Sequence, residues 1–305
     1  MFKDTVPTTE RMYNWGDIEG EVRDSTPNEN DFDDVYSKEE IEADKAYVQK
    51  IKDQLDIEPE QGISDSRIQE YATAQEIGEM DWFGEDKRRD ELFPDGKGYN
   101  SSVFLTSEYD DYVNHIDAVC LMTNANSEFR TVPFALDVTY NTDREELDKK
   151  MAWRHPAREV KLSGFATAKY FVDEFNDKPL VDKGRIGILP RFVIGFSPEL
   201  STEITELRMS GDGWGSMRRD ELTAKAKWCV LKELKNQSEQ MLEYLEGYHG
   251  DNEALERMLV DVRALDRYFG GAIEAAREMD RDHPDWKSYP ERDTVFGEIM
   301  SRRIV

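Results

Sequence analysis

Two short apolar segments set the architecture of this 305-residue chain: IDAVCLM at residues 116–122 and VPFALDVTY at residues 132–140. Both are largely β-forming, and the polar residues 124–130 separate them, which is typical of two antiparallel strands joined by a turn. A hairpin symmetric about Ser127 places Asp117 opposite Asp137. Because opposed residues share a face of the sheet, we expect the Cβ atoms of the two aspartates to lie roughly 4.5–5.5 Å apart.

The two aspartates need a compensating partner. Both strands are apolar on either side of their aspartate, so we expect the sheet to be covered on both faces. Two carboxylates there repel each other and lose hydration. A divalent cation is one compensator, since Mg²⁺ typically binds one or two carboxylates and several waters. The alternatives are a shared proton, backbone donors, an arginine such as Arg130 or Arg154, or a position at the open end of the sheet.

The elements predicted on either side of the hairpin alternate between helix and strand. They are a helix at 66–80, a strand at 102–106, a helix at 143–154, apolar strand segments at 164–172 and 186–196, and helices at 198–209, 218–247 and 252–280. This order predicts an α/β (α+β) fold with a mixed β-sheet flanked by helices. We divide the chain into an acidic N-terminal arm and helix (1–64), an α/β core (65–197) and a helical C-terminal region (198–305).

The acidic charge is concentrated toward the N-terminus. Residues 1–100 hold 28 Asp and Glu against 12 Lys and Arg, which gives −16 of the total net charge of −26. Such a field repels phosphate backbones and anionic membranes at long range, although surface charge often serves only solubility. Residues 1–36 are rich in turn-forming residues, and Ser37 followed by Glu40 predicts the start of a helix.

Composition excludes several classes of protein. A hydrophobic content of 38% suffices for a sizeable core. We find no apolar run near the roughly 18 residues of a membrane helix, and the first residues lack the apolar stretch of a secretory signal. The two cysteines have no metal-ligand spacing, and the sequence contains neither a nucleophile elbow nor a Rossmann glycine pattern. We therefore expect a soluble, cytoplasmic protein without a membrane partner.

The hairpin resembles the PD-(D/E)XK nuclease superfamily, which has the restriction-endonuclease-like fold. Asp117 matches the first acidic position of its motif and Asp137 the second, and a helix and a strand follow, as the αβββαβ core of the family requires. The resemblance covers roughly residues 65–197. It implies a nuclease that acts on nucleic acid, with Mg²⁺ or Mn²⁺ held by Asp117 and Asp137. It also implies that the helix at 66–80 contributes an acidic residue, Glu70 or Glu76.

The motif lysine is missing, because Thr139 occupies its position. In some family members the lysine has moved to a neighbouring element, and here Lys150 is the first candidate for that catalytic role. It lies three residues after Leu147, near the face of the helix that packs on the sheet. Lys149 and Lys169 are the other candidates. An ordinary surface pair of Glu146 with Lys150 is the alternative interpretation.

A different class of function follows if no lysine reaches the aspartates. The chain is then a catalytically inactive, nuclease-like interaction protein, or an acidic mimic of nucleic acid that binds a protein partner. Two nearby features also have two interpretations. The acidic run of Glu108, Asp110 and Asp111 either extends the carboxylate cluster or forms a solvated turn. His115 either assists the site or is structural.

Overall fold

The computed structural model describes residues 19–55, 63–79, 99–124, 131–153, 166–172, 183–209, 217–247 and 253–302. Its helices include α1 (Lys38–Gln54), α2 (Asp65–Glu79), α3 (Glu108–Asn114), α4 (Arg144–Trp153), α5 (Pro198–Met209), α6 (Met217–Glu246), α7 (Glu253–Met279), α8 (Pro284–Ser288) and α9 (Thr294–Ser301). The strands are β1 (Tyr99–Leu105), β2 (Ala118–Asn124), β3 (Thr131–Thr139), β4 (Ala166–Phe171), β5 (Gly184–Leu189) and β6 (Arg191–Gly195). The predicted mixed α/β class is confirmed.

The larger sheet has four strands in the order β1-β2-β3-β6, with β1, β2 and β3 antiparallel and β6 parallel to β3. In the hairpin Ala118 lies opposite Leu136, which is the register predicted from symmetry about Ser127. Asp117 comes just before β2, and its backbone N–H donates to the carbonyl of Leu136 at 2.9 Å. The hairpin therefore brings Asp117 to the stretch of β3 that contains Asp137.

The second apolar segment after the hairpin is divided between two sheets. We expected residues 186–196 to act as one segment, but Pro190 separates β5 from β6. Strand β5 pairs with β4 in a separate two-stranded antiparallel sheet, whereas β6 joins the main sheet. Proline has no N–H for a strand ladder, which explains the break. Its carbonyl still accepts a hydrogen bond from the N–H of Ala135 at 2.9 Å.

Both faces of the main sheet are covered, as expected. On one face Phe134 and Phe192 pack edge to face against Phe269 of α7, with ring centroids 5.8 and 5.5 Å away. On the other face Val119 and Leu121 belong to an apolar cluster with residues of β4 and β5. The sheet and the C-terminal helices thus share one apolar core.

Side chains close the outer edges of two strands. Gln237 of α6 accepts from the N–H of Val193 at 2.9 Å and donates to its carbonyl at 2.5 Å, and Glu233 accepts from the N–H of Gly195 at 3.0 Å. The outer edge of β4 meets Asp110, whose carboxylate accepts from the N–H groups of residues 169 and 170 at 2.7 and 2.9 Å. The register of β4 shifts between Ala168 and Phe171, and such an irregularity lets neighbouring N–H groups face the same way.

The N-terminal region packs on the rest of the chain. Ser37 caps α1 by accepting from the N–H of Glu40, as predicted. The ammonium of Lys169 on β4 binds Asp44 at 2.5 Å and Glu40 at 2.7 Å. Phe32 is buried and meets the ring of Tyr170 edge to face at 5.2 Å. The described part of this acidic region is therefore docked on β4.

Candidate functional site

Asp117 lies where a tight turn joins α3 to β2. His115 ends α3 in the left-handed conformation (φ 53°), and its N–H donates to the carbonyl of Asp111 at 3.1 Å. A non-glycine residue in that region turns the chain at some conformational cost. The buried carboxylate of Asp117 accepts from the N–H of Val138 at 2.6 Å. This backbone hydrogen bond holds the Asp117 side chain at the C-terminal end of β3, next to Asp137.

Lys150 contacts the second aspartate. Its ammonium donates to the carboxylate of Asp137 and, at 2.9 Å, to the carbonyl of Val138. Leu147 and Met151, on the same helix, are buried against β6 and α9, so the packing of α4 directs Lys150 toward β3. The ammonium of Lys150 thus lies at the aspartates, as predicted, and its direct contact is with Asp137.

The other cations considered for this position are elsewhere or outside the described residues. Lys169 binds the N-terminal region, as described above, and does not belong to this site. The side chain of Lys149 lies outside the described part of the chain, as do Arg130 and Arg154. Thr139, at the motif lysine position, is buried and accepts from the N–H of Asn141 at 3.3 Å.

Three carboxylates form a cluster that we call the acidic triad: Glu70 from α2, Asp111 from α3, and Asp117. One carboxylate oxygen of each lies within 4.8 Å of the others. Of the two glutamates considered on α2, Glu70 therefore reaches the site, whereas Glu76 accepts from Thr223 of α6 at 3.1 Å. Asp137 is not among the three.

The sequence left the role of Asp111 open, and the interpretation of Glu108, Asp110 and Asp111 as a solvated turn is wrong. They begin α3, whose N-cap is Ser107. The signal that could have shown this is a serine followed by acidic residues in the first turn. The adjacent aspartates diverge, because Asp110 binds the edge of β4 whereas Asp111 joins the acidic triad.

Arg67 is a second residue of the site that the sequence did not reveal. Its Nη1 lies 3.2 Å from a carboxylate oxygen of Glu70 and 3.9 Å from one of Asp111. Its Nη2 donates to the carbonyl of Thr106. The side chain is 12% exposed, so this ion pair is largely shielded from water. Only the spacing of Arg67 and Glu70 by one helical turn could have indicated the contact.

Burial dominates the electrostatics of the site. It raises the pKa of Asp117 well above the ordinary value. The neighbouring carboxylates of Glu70, Asp137 and Asp111 raise this pKa further, whereas the charge of Lys150 lowers it. Burial and the charge of Asp111 raise the pKa of Glu70 to about 7, although Arg67 opposes the shift. Burial lowers the pKa of Lys150, but the charges of Asp137, Asp117 and Glu70 outweigh it and raise the pKa above the ordinary value.

His115 lies near the same charges. Burial and the guanidinium of Arg191 lower its pKa against the opposing charge of Asp137, so the imidazole is neutral near pH 7. Among the described residues, the site combines four carboxylates with two cations, Arg67 and Lys150. Such a set can bind a proton near neutral pH and can also bind a hard cation.

A span long and apolar enough to cross a bilayer is absent from the helices that the structure describes. Comparison of the chain with protein-family models, with curated protein sequences and with solved structures finds no match.

Proposed function

We propose that this protein is a metal-dependent phosphodiesterase that acts on nucleic acid, built on a restriction-endonuclease-like core. The observation that carries the proposal is the contact of Lys150 with Asp137 beside the acidic triad. A lysine from the following helix meets the second aspartate of the motif although Thr139 occupies the usual lysine position.

The order of elements also supports the proposal. Apart from α3, which lies between β1 and β2, the helix α2, the antiparallel strands β1, β2 and β3, the helix α4 and the parallel strand β6 have the αβββαβ order of that superfamily. Strands β4 and β5 form an insertion between α4 and β6.

The acidic triad fits a divalent cation by the chemistry of its donors. Glu70, Asp111 and Asp117 offer oxygen ligands from three different elements, and such hard ligands suit Mg²⁺ or Mn²⁺ better than Zn²⁺. These three residues would hold the ion, and Asp137 would hold Lys150. When bound, the ion supplies Lewis-acid stabilisation of the charge on a phosphate group.

Lys150 supplies the positive charge of the protein itself. Within the described residues, Asp137 and the Val138 carbonyl use two of the three N–H donors of the ammonium, so the third can donate to a phosphate oxygen or an attacking water. The side chain is 35% exposed, so a substrate can reach it. A charged donor held in position before the reaction stabilises the developing negative charge without reorganisation.

The second candidate function is a non-catalytic interaction protein. The observation that favours it is that Arg67 and Lys150 already compensate the carboxylates by direct ion pairs. With a net charge of −26, a nuclease-like scaffold of this kind would bind a basic protein partner.

A cleavage assay separates the two functions. Single- and double-stranded DNA and RNA are incubated with the protein in Mn²⁺, and we expect cleavage that Lys150→Met lowers at least about a hundredfold, because a charged donor to the phosphate is lost. Lys183→Met removes the same charge from a surface pair with Asp34 and should leave the rate unchanged. Binding of Mn²⁺ without cleavage of any of these substrates would favour the interaction protein.

A further inference from the structure

Arg67 stands within the carboxylate cluster that the proposed function assigns to a metal ion. Its guanidinium lies 3.2 Å from Glu70 and 3.9 Å from Asp111, and both carboxylates belong to the acidic triad. The donation from Nη2 to the Thr106 carbonyl holds the guanidinium in this position from the side of β1.

We propose that Arg67 is a built-in competitor of the metal ion: the guanidinium and a divalent cation compete for Glu70 and Asp111. This inference rests on the proposed function, because it concerns the metal of that same site. It assigns to Arg67 the regulation of metal occupancy. At low metal concentration the guanidinium neutralises the two carboxylates. At high concentration the metal ion replaces the guanidinium as their partner.

The charge of the arginine makes the competition unavoidable. Its guanidinium does not lose its proton in a protein, so the charge cannot be removed when the ion arrives. An ion that binds oxygens of all three carboxylates lies a few ångströms from Nη1, where the two positive charges repel strongly because the site is shielded from water. The ion therefore displaces Nη1 from Glu70 and Asp111 or binds more weakly than the same carboxylates would allow.

A purely organising arginine predicts the opposite result. If Arg67 only holds Glu70 and Asp111 in the geometry that the metal needs, its removal scatters the ligands and weakens metal binding. The sign of the change in affinity therefore distinguishes competition from organisation. This readout does not depend on catalytic activity.

The test is the dissociation constant of Mn²⁺, measured by calorimetry on the full chain at constant ionic strength. We expect Arg67→Gln to lower it by about tenfold, because a unit charge close to the ion is removed. Arg144→Gln is the matched control. It removes the same charge from an arginine whose side chain is 79% exposed and pairs with Glu298, and it should leave the dissociation constant within about twofold.

Arg67→Lys is the second variant and retains most of the packing. A single ammonium cannot reproduce the fork that spans Thr106 and both carboxylates, so its dissociation constant should lie between those of the wild type and Arg67→Gln. A value for either variant equal to or above that of the wild type overturns the competition and leaves the proposed function intact. If the wild type and both variants all fail to bind Mn²⁺, the proposed function is overturned together with this inference.

Discussion

The carboxyl groups of the site differ in their hydrogen-bond and ion-pair partners. Asp117 has a backbone donor, the Val138 N–H, whereas Glu70 depends on Arg67. A buried carboxylate with one ionic partner and two carboxylate neighbours holds a proton more readily than one exposed to water. At the scale of the residue, the acidic triad is therefore sensitive to pH near neutrality.

The pKa of Glu70 determines whether the stability of the folded protein rises or falls with pH. Its pKa is raised from the ordinary 4.5 to about 7, so the folded protein retains a proton that the unfolded chain releases over this interval. The contribution of this proton to stability is complete below the ordinary pKa and is lost as the pH rises through about 7. In chelator, the melting temperature should fall between pH 5 and pH 8, and Glu70→Gln should flatten that fall.

The expected difference between the two pH profiles corresponds to about 1 kcal/mol or more, since one pKa unit is worth about 1.4 kcal/mol. Glu239→Gln changes an exposed glutamate that pairs with Lys235 and serves as the control, with the slope of the wild type. Parallel profiles for Glu70→Gln and the wild type would contradict the raised pKa.

Single elements of the fold were predictable from sequence to different degrees. The hairpin register was predictable because the symmetry about Ser127 and the apolar pattern of both strands agree. Helix α3 was missed because a run of acidic residues is typical of a solvated turn. The partners of Asp110 lie about 60 residues further along the chain, in β4, and local sequence holds no signal for such a contact.

Asp110 and Asp111 allow a test of what α3 contributes. Asp110 is fully buried and accepts from the backbone of residues 169 and 170, from Asn114 at 2.6 Å and from Ser107 at 3.1 Å. Asp110→Asn places an amide donor against these donors and should cost about 2–3 kcal/mol of unfolding free energy, because buried N–H groups lose a charged acceptor. Urea titration measures this cost.

Asp111→Asn is the matched comparison on the same helix. It removes a carboxylate whose pKa is raised by burial, and it relieves the repulsion within the acidic triad. In chelator it should therefore leave the unfolding free energy within about 0.5 kcal/mol of the wild type or increase it. Equal losses in the two variants would show that the two side chains do not differ in role.

The whole molecule carries a formal net charge of −26, which includes the carboxylates of the site. The order of the predicted elements indicated the fold class, and the resemblance indicated Lys150, but neither could predict that Arg67 lies among the carboxylates. The contacts of Arg67 depend on the packing of α2 beside β1. A cation can stabilise this protein either at the acidic triad or by screening the surface, and a measurement must separate the two.

Thermal unfolding with Mn²⁺ makes that separation. Binding to the folded state alone contributes roughly 2.7 kcal/mol at a hundredfold excess over the dissociation constant. At about 2–4 °C per kcal/mol, the wild type should gain several degrees at constant ionic strength. Asp117→Asn should lose most of the gain, and Asp137→Asn should lose less because Asp137 binds Lys150. Equal gains in all three proteins would assign the effect to the surface.

The side chains that close the edges of β4 and β6 also affect how this protein meets other chains. A partner peptide that extends a sheet must donate to, and accept from, the free backbone groups of an outer strand. In β6 Gln237 and Glu233 already occupy those groups, and in β4 Asp110 does. Among the strands that the structure describes, strand addition, and the fibre growth that can follow from it, would therefore have to begin at β1 or β5.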